Sequence, residues 1–243
     1  MVRYKIFGAM RTGTNFLMNL LRMNVKDVEV HENTWGSKHD VPATKGKMEM
    51  WSKGNHFQRL EKDMDVRPTI VIKNPYSWFQ SILRWSNRQG WTWDFQKMYN
   101  RYQLLYFSYR DLLELGHDLY GPAIFFRYED LLMDPKGQLE RLDVPIKEAI
   151  TLPYKVHLSD QFTDQRKFFY LSNGPFGLNE PKATAIDNIM DWRLMEYYGY
   201  KIRDWEAPQG PLHIPSSTSD PIPNPEIEFA RDKIPLPSWE SKV

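Results

Sequence analysis

Apolar residues in this chain alternate between short dense runs and stretches where they recur every three or four positions. The first run, Arg3-Tyr4-Lys5-Ile6-Phe7, predicts a short strand. It ends in Gly8-Ala9-Met10-Arg11-Thr12-Gly13-Thr14, and from Asn15 the spacing of Phe16, Leu17, Leu20, Leu21 and Met23 predicts a helix. Residues 27–31 read as a second short strand. Residues 32–67 are polar and weakly periodic, and predict a long loop with some helix. The β-branched run Arg67 to Lys73 is the clearest buried strand. Asn74-Pro75 stops it, and Pro75 suits the first turn of a helix that carries Trp78, Phe79, Ile82, Leu83 and Trp85. A long amphipathic helix is predicted over 94–116, ending at Gly116. Residues 122–128 predict another buried strand, followed after Pro135 by a short helix through Leu142. Residues 184–198 predict one more helix, ended by Gly199. Strand and helix alternate, which argues for an α/β fold with a parallel sheet and helices on both faces.

The end of the chain differs in kind. Eight of its 17 prolines fall between Pro208 and Pro237. Such a segment supports no helix and supplies few core residues. We therefore divide the chain into a domain over 1–205 and a Pro-rich tail over 206–243. The length of 243 residues fits one domain plus a tail, at ~150 residues per domain.

Composition narrows the function classes. The chain is 41% hydrophobic and 26% charged, with 32 Lys plus Arg against 31 Asp plus Glu. A net charge of +1 gives no footprint for a nucleic-acid coat or a polybasic membrane binder. There is no cysteine, which excludes disulfides, iron–sulfur clusters, thiolate zinc sites and a cysteine nucleophile. No secretory signal and no run of 18 apolar residues is present, so a cytoplasmic protein is expected. Aromatic content is 14%, with nine Trp. Trp35, Trp51, Trp85, Trp91 and Trp93 stand in the two regions expected to border a ligand, although packing is the commoner role of such residues.

The turn at 8–15 has the make-up of an anion site. A strand opens through glycines into a helix whose first N–H groups have no intrahelical acceptors, and the helix dipole adds positive potential there. Thr12, Gly13, Thr14 and Asn15 offer donors, and Arg11 a charge. The Walker pattern G-x-x-x-x-G-K-[ST] is not met, because Thr14 follows Gly13. Lys73 stands at the end of the clearest strand, where open parallel sheets bind ligands. Ser81 lies two turns into the next helix, within reach of an anion lying across the helix start.

These segments resemble the PAPS-dependent sulfotransferases. Arg11 to Leu17 is similar to that family's 5′-phosphosulfate loop. Ile72 to Ser81, with Asn74-Pro75 inside it, is similar to its 3′-phosphate segment. Phe126 to Pro135 resembles its Tyr-Glu-Asp-Leu corner, and Met195 to Tyr200 the terminal helix of many bacterial members. The likeness runs in the family's order over residues 3–200. It implies a three-layer α/β/α domain with a central parallel sheet, of the P-loop NTPase-like sulfotransferase kind. Some positions depart from the pattern. Lys73 replaces the usual Arg and loses bidentate geometry. Asn15 stands where Ser or Thr is common. The downstream Arg-Lys-Gly-x-x-Gly segment is not intact, and Arg166-Lys167, followed by Gly174 and Gly177, is its remnant or a solvated basic pair.

The resemblance implies in-line transfer of a sulfuryl group from 3′-phosphoadenosine 5′-phosphosulfate (PAPS) to a hydroxyl or amine. Adenosine 3′,5′-bisphosphate is then the product, and no metal takes part. Arg11 would stabilise the leaving group, with Thr12, Gly13, Thr14 and Asn15 around the phosphosulfate. Lys73 and Ser81 would bind the 3′-phosphate, joined by Arg166 and Lys167 if that pair is functional. The base is drawn from the segment after the second strand: His39 ranks first, His31 second and Glu32 third. Gly36-Ser37-Lys38-His39 is similar to a patch in bacterial and phage-type members, where Lys38 would touch the sulfonate. The expected partner is a small-molecule or glycan acceptor, with neither nucleic acid nor membrane; the sequence leaves the acceptor and the oligomeric state open. The alternative is a non-catalytic nucleotide-binding protein of the same fold. A Mg-ATP-dependent nucleoside or sugar kinase is disfavoured by the missing Gly-Lys step.

Overall fold

A computed structural model describes residues 1–32, 37–40, 66–90, 92, 94–115, 123–157, 160–161, 167, 170–171, 178 and 180–203. The chain divides into two units, Met1–Leu212 and His213–Val243, and every described residue belongs to the first. The Pro-rich tail expected over 206–243 lies outside the described residues, as do Gly116, Trp35, Trp51, Trp91 and Trp93.

The elements run β1 (Val2–Phe7), α1 (Thr14–Asn24), β2 (Val28–His31), β3 (Val66–Ile72), α2 (Pro75–Gln89), α3 (Phe95–Leu115), β4 (Ile124–Arg127), α4 (Tyr128–Met133), α5 (Pro135–Glu140), β5 (Lys155–His157), β6 (Asp160–Gln161), α6 (Glu180–Ile189) and α7 (Trp192–Tyr197). β1 to β4 form a four-stranded, all-parallel sheet in the order β2-β1-β3-β4. This is an α/β fold with helices flanking a central parallel sheet, consistent with three α/β/α layers.

Strand alternation sends residues to two cores. On one face Tyr4, Ile6, Val71 and Phe126 pack against Phe16, Leu17, Leu20 and Leu21 of α1 and Leu131, Leu132 and Leu139 of α4 and α5. On the other, α3 presents a row of fully buried tyrosines (Tyr99, Tyr102, Tyr106 and Tyr109) at three- and four-residue spacing. Tyr102 stacks on Tyr106 at 4.0 Å, and Tyr198 meets both Tyr106 and Phe125. The high aromatic content of these elements is thus core.

Three boundaries differ from the sequence reading. The strand expected to reach Tyr128 stops at Arg127, and Tyr128 opens α4 directly. The antiparallel pair β5–β6 has no counterpart in the expected elements. The single helix over 184–198 is two. Asp191 caps α7 by accepting the N–H of Leu194 at 3.1 Å, and Gln103 of α3 accepts the N–H of Asp191 while donating to the Ile189 carbonyl at 3.2 Å. A side chain 88 residues away therefore satisfies the break. Among the described residues no helix is long and apolar enough to cross a membrane.

The strand order sets the place of the site. The chain leaves β1 for β2 on one side and returns as β3 on the other. The carboxyl ends of β1 and β3 therefore flank the point where the winding reverses, the usual ligand crevice of an open parallel sheet.

Candidate functional site at the ends of β1 and β3

The turn after β1 is closed by its own residues. Thr12 donates both its N–H (3.2 Å) and its hydroxyl (2.7 Å) to the Ala9 carbonyl. Thr12 is fully buried, so its side chain braces the loop from inside. Arg11 has φ 68° and Gly13 φ 104°, both left-handed. Alternation of this kind turns successive N–H groups to one side. Gly13 is required twice over, because a Cβ there would also lie 2.2 Å from the Tyr128 ring. Gly8 is hemmed in likewise: a Cβ would stand 2.7 Å from Thr12 Oγ1, Thr14 Cγ2 and the Val71 carbonyl. The Leu17 N–H reaches the Gly13 carbonyl at 3.0 Å, and the four N–H groups before it precede the intrahelical ladder. Gly13, as N-cap, contributes no side-chain bond. Thr14 is buried, whereas Arg11 and Asn15 are half-buried.

Across the switch point, Lys73 folds back along α2 and donates to Ser81 Oγ at 2.8 Å. Residues eight apart in sequence thus form one polar pair. Asn74 caps α2 by accepting the Tyr76 N–H at 2.9 Å, while its Nδ2 is buried without a hydrogen-bond partner among the described residues. The Lys73 peptide is gripped by two tyrosines: its N–H donates to Tyr106 at 2.7 Å, and its carbonyl accepts from Tyr102 and Tyr106. The ammonium lies 3.6 Å from the Tyr170 ring centroid and 4.9 Å from that of Tyr128. Tyr128 therefore floors both the loop at Gly13 and the ammonium at Lys73. Lys167 is half-buried one turn before Tyr170; Arg166, Gly174 and Gly177 lie outside the described residues.

Glu129 stands behind this pair, fully buried. It accepts the Asn74 N–H at 3.0 Å and the Tyr200 hydroxyl at 2.7 Å. Burial pushes its carboxyl up, against the Tyr200 and Asn74 hydrogen bonds and the Lys73 charge. Burial likewise drives the Lys73 ammonium well down; Glu129 opposes this, and Arg11 and Arg84 add to it.

Of the three residues ranked as base, His39 reaches the loop directly and Glu32 only through Lys38. The Gly8 N–H donates to the Lys38 carbonyl at 2.9 Å, and the Gly8 carbonyl lies 2.8 Å from His39 Nδ1. A carbonyl only accepts, so Nδ1 carries the proton and Nε2 keeps its lone pair. Burial lowers His39 to about 4; the Gly8 bond opposes this, and the charges of Lys38, Arg101 and Lys5 reinforce it. Lys38 Nζ bridges Asn15 Oδ1 at 2.6 Å and Glu32 Oε2 at 2.9 Å. Burial would raise Glu32, but the Lys38 bond and the charges of Lys38, Arg22 and Lys5 hold it below the usual range. His31 sits on β2 with Nε2 3.5 Å from Glu29, and burial lowers it. Gly36 lies outside the described residues.

Sequence reasoning missed Lys5, Asp40, Arg101 and the α3 tyrosines, and read Tyr128, Glu129 and Asp130 as mainly structural residues of the strand–helix corner. Lys5 carried a usable signal, since a lysine between core residues on a short buried strand is rarely idle. Among the described residues no group of three or more His, Asp or Glu could hold a metal ion. No protein-family model, curated protein or solved structure matches this chain.

Proposed function

We propose that this chain is a PAPS-dependent sulfotransferase with a P-loop NTPase-like architecture. The observation that carries the reading is the pairing of two anion-suited sites across one switch point. The glycine loop at the end of β1 and the Lys73–Ser81 pair at the end of β3 share the Tyr128 ring as floor. Two features fit a doubly anionic adenosine: the N–H groups at the start of α1, and the buried Asn74 Nδ2 beside Lys73.

In this reading the loop N–H groups of residues 13–16 and Arg11 hold the 5′-phosphosulfate, and Lys73 with Ser81 holds the 3′-phosphate. The acceptor oxygen attacks sulfur, the sulfur–oxygen bond to the 5′-phosphate breaks, and the sulfuryl group passes to the acceptor. His39 Nε2 takes the acceptor's proton while Nδ1–H stays on the Gly8 carbonyl. Arg11 and the loop N–H groups meet the charge left on the phosphate oxygen. Negative charge arriving on the loop raises the basicity of His39 from its ligand-free value. In this reading Lys38, which bonds Asn15, meets the sulfonate oxygens.

One observation favours the second reading, a nucleotide-binding protein without catalysis: an imidazole held near 4 is a weak base. The experiments separate the two. Adenosine 3′,5′-bisphosphate should stabilise the protein by about 3–4 kcal/mol at roughly 100- to 1,000-fold excess over Kd, and 5′-AMP much less. Equal shifts would remove the Lys73–Ser81 assignment. Transfer of label from [35S]PAPS to an acceptor panel, lost in His39→Gln, supports catalysis. Bisphosphate binding with no transfer to any acceptor supports the second reading.

A further inference from the structure

The search for unassigned chemistry leads to Lys5. It is fully buried on β1 between Tyr4 and Ile6, which are also fully buried. A lysine there is costly unless its ammonium is satisfied and its charge has a use. The Nζ donates to the backbone carbonyl of Glu32, where the chain leaves β2. The Glu32 carboxylate takes the Lys38 ammonium, the Lys38 carbonyl takes the Gly8 N–H, and the Gly8 carbonyl takes His39 Nδ1–H. Residues 32 and 38–39 are therefore tied to β1 and the turn that follows it, the first by Lys5 and the others by Gly8.

We propose that Lys5 is a positioning residue for His39: from inside the sheet it anchors the departure of the base-bearing segment at Glu32, and its buried ammonium adds to the positive charges of Lys38 and Arg101 around the imidazole. This role rests on the reading of His39 as the base. Among the described residues, the charges that act on the imidazole are Lys38 from its own segment, Arg101 from α3 and Lys5 from β1; Asp40 and Glu32 act on Lys5, and Asp40 lies 3.7 Å from Arg101. Tyr109 of α3 also feels Asp40 and Arg101. Lys38 and Arg101 act on His39 more strongly than Lys5. They keep 15% and 20% of their side-chain surface in solvent, whereas Lys5 keeps none of its surface there. Salt therefore screens the Lys5 contribution least.

The test is an NMR titration of the histidine rings in the full chain, with His39 assigned by the signal lost in His39→Gln. In Lys5→Met the His39 midpoint should rise by about half a pH unit or more, and Lys5→Arg should return it toward the parent value. An unchanged midpoint in a folded Lys5→Met overturns the proposal, as does a Lys5→Arg that behaves like Lys5→Met. Should Lys5→Met fail to fold, the parent protein still decides. Burial holds the Lys5 amine down to about 7, so the His39 resonances should show a second inflection at that pH. A single inflection sinks the idea. No nucleotide is needed, so failure of the bisphosphate to bind would remove the proposed function and leave this result standing.

Discussion

At the scale of single residues, Gly13 and His39 make the sharpest predictions. Gly13 combines a left-handed backbone with a ring 2.2 Å from where a Cβ would be. Gly13→Ala should destabilise the protein by roughly 1–3 kcal/mol in urea titrations and weaken bisphosphate binding together with it. A neutral outcome would mean that the loop is not held against Tyr128. His39 sits near 4 when folded and 6.5 when unfolded, so the unfolded chain binds more protons between those values. Stability is then lost as pH falls through that window, by roughly 3 kcal/mol at its foot. His39→Gln should flatten that part of the curve of melting temperature against pH.

At the scale of elements, what could be read from letters and what could not divide along contact range. β3 was legible because a continuous β-branched run needs no distant partner to declare itself. The glycine turn was legible because strand, turn and helix are adjacent in the chain. Lys73 and Ser81 were legible as a pair because one capped helix fixes their separation. The break at Asp191 was not, because the groups that make it tolerable belong to Gln103 of α3. Asp191→Ala should cost about 1 kcal/mol as a lost cap. Gln103→Leu should cost more, because it strands two backbone groups at once. Equal and negligible losses in chemical denaturation would mean that the break needs neither. His39 was legible as a candidate and its tautomer was not, since the Gly8 carbonyl lies 31 residues back.

For the whole molecule, the proposed 3′-phosphate site makes the buried Lys73 and Glu129 a link between ligand and solvent. Burial pushes Glu129 toward its uncharged acid and Lys73 toward its uncharged amine. A dianionic 3′-phosphate against them favours a protonated lysine beside an uncharged acid, one positive charge more. Binding of adenosine 3′,5′-bisphosphate near pH 8, where the free phosphate is already fully ionised, should take up close to one proton. Affinity should fall up to tenfold per unit as pH rises. Calorimetry in two buffers of different ionisation enthalpy measures the uptake directly. 5′-AMP, which lacks the group, should take up much less, and equal uptake would detach the effect from this pair.

One backbone amide and its carbonyl, both at Gly8, hold the imidazole segment against the anion turn. On the proposed function, the two halves of the chemistry therefore hang from a joint with no side chain to vary. For a transferase of that kind, retraining on a new nucleophile has to reshape the opposite walls of the crevice, because loosening that joint would disarm donor and proton acceptor together.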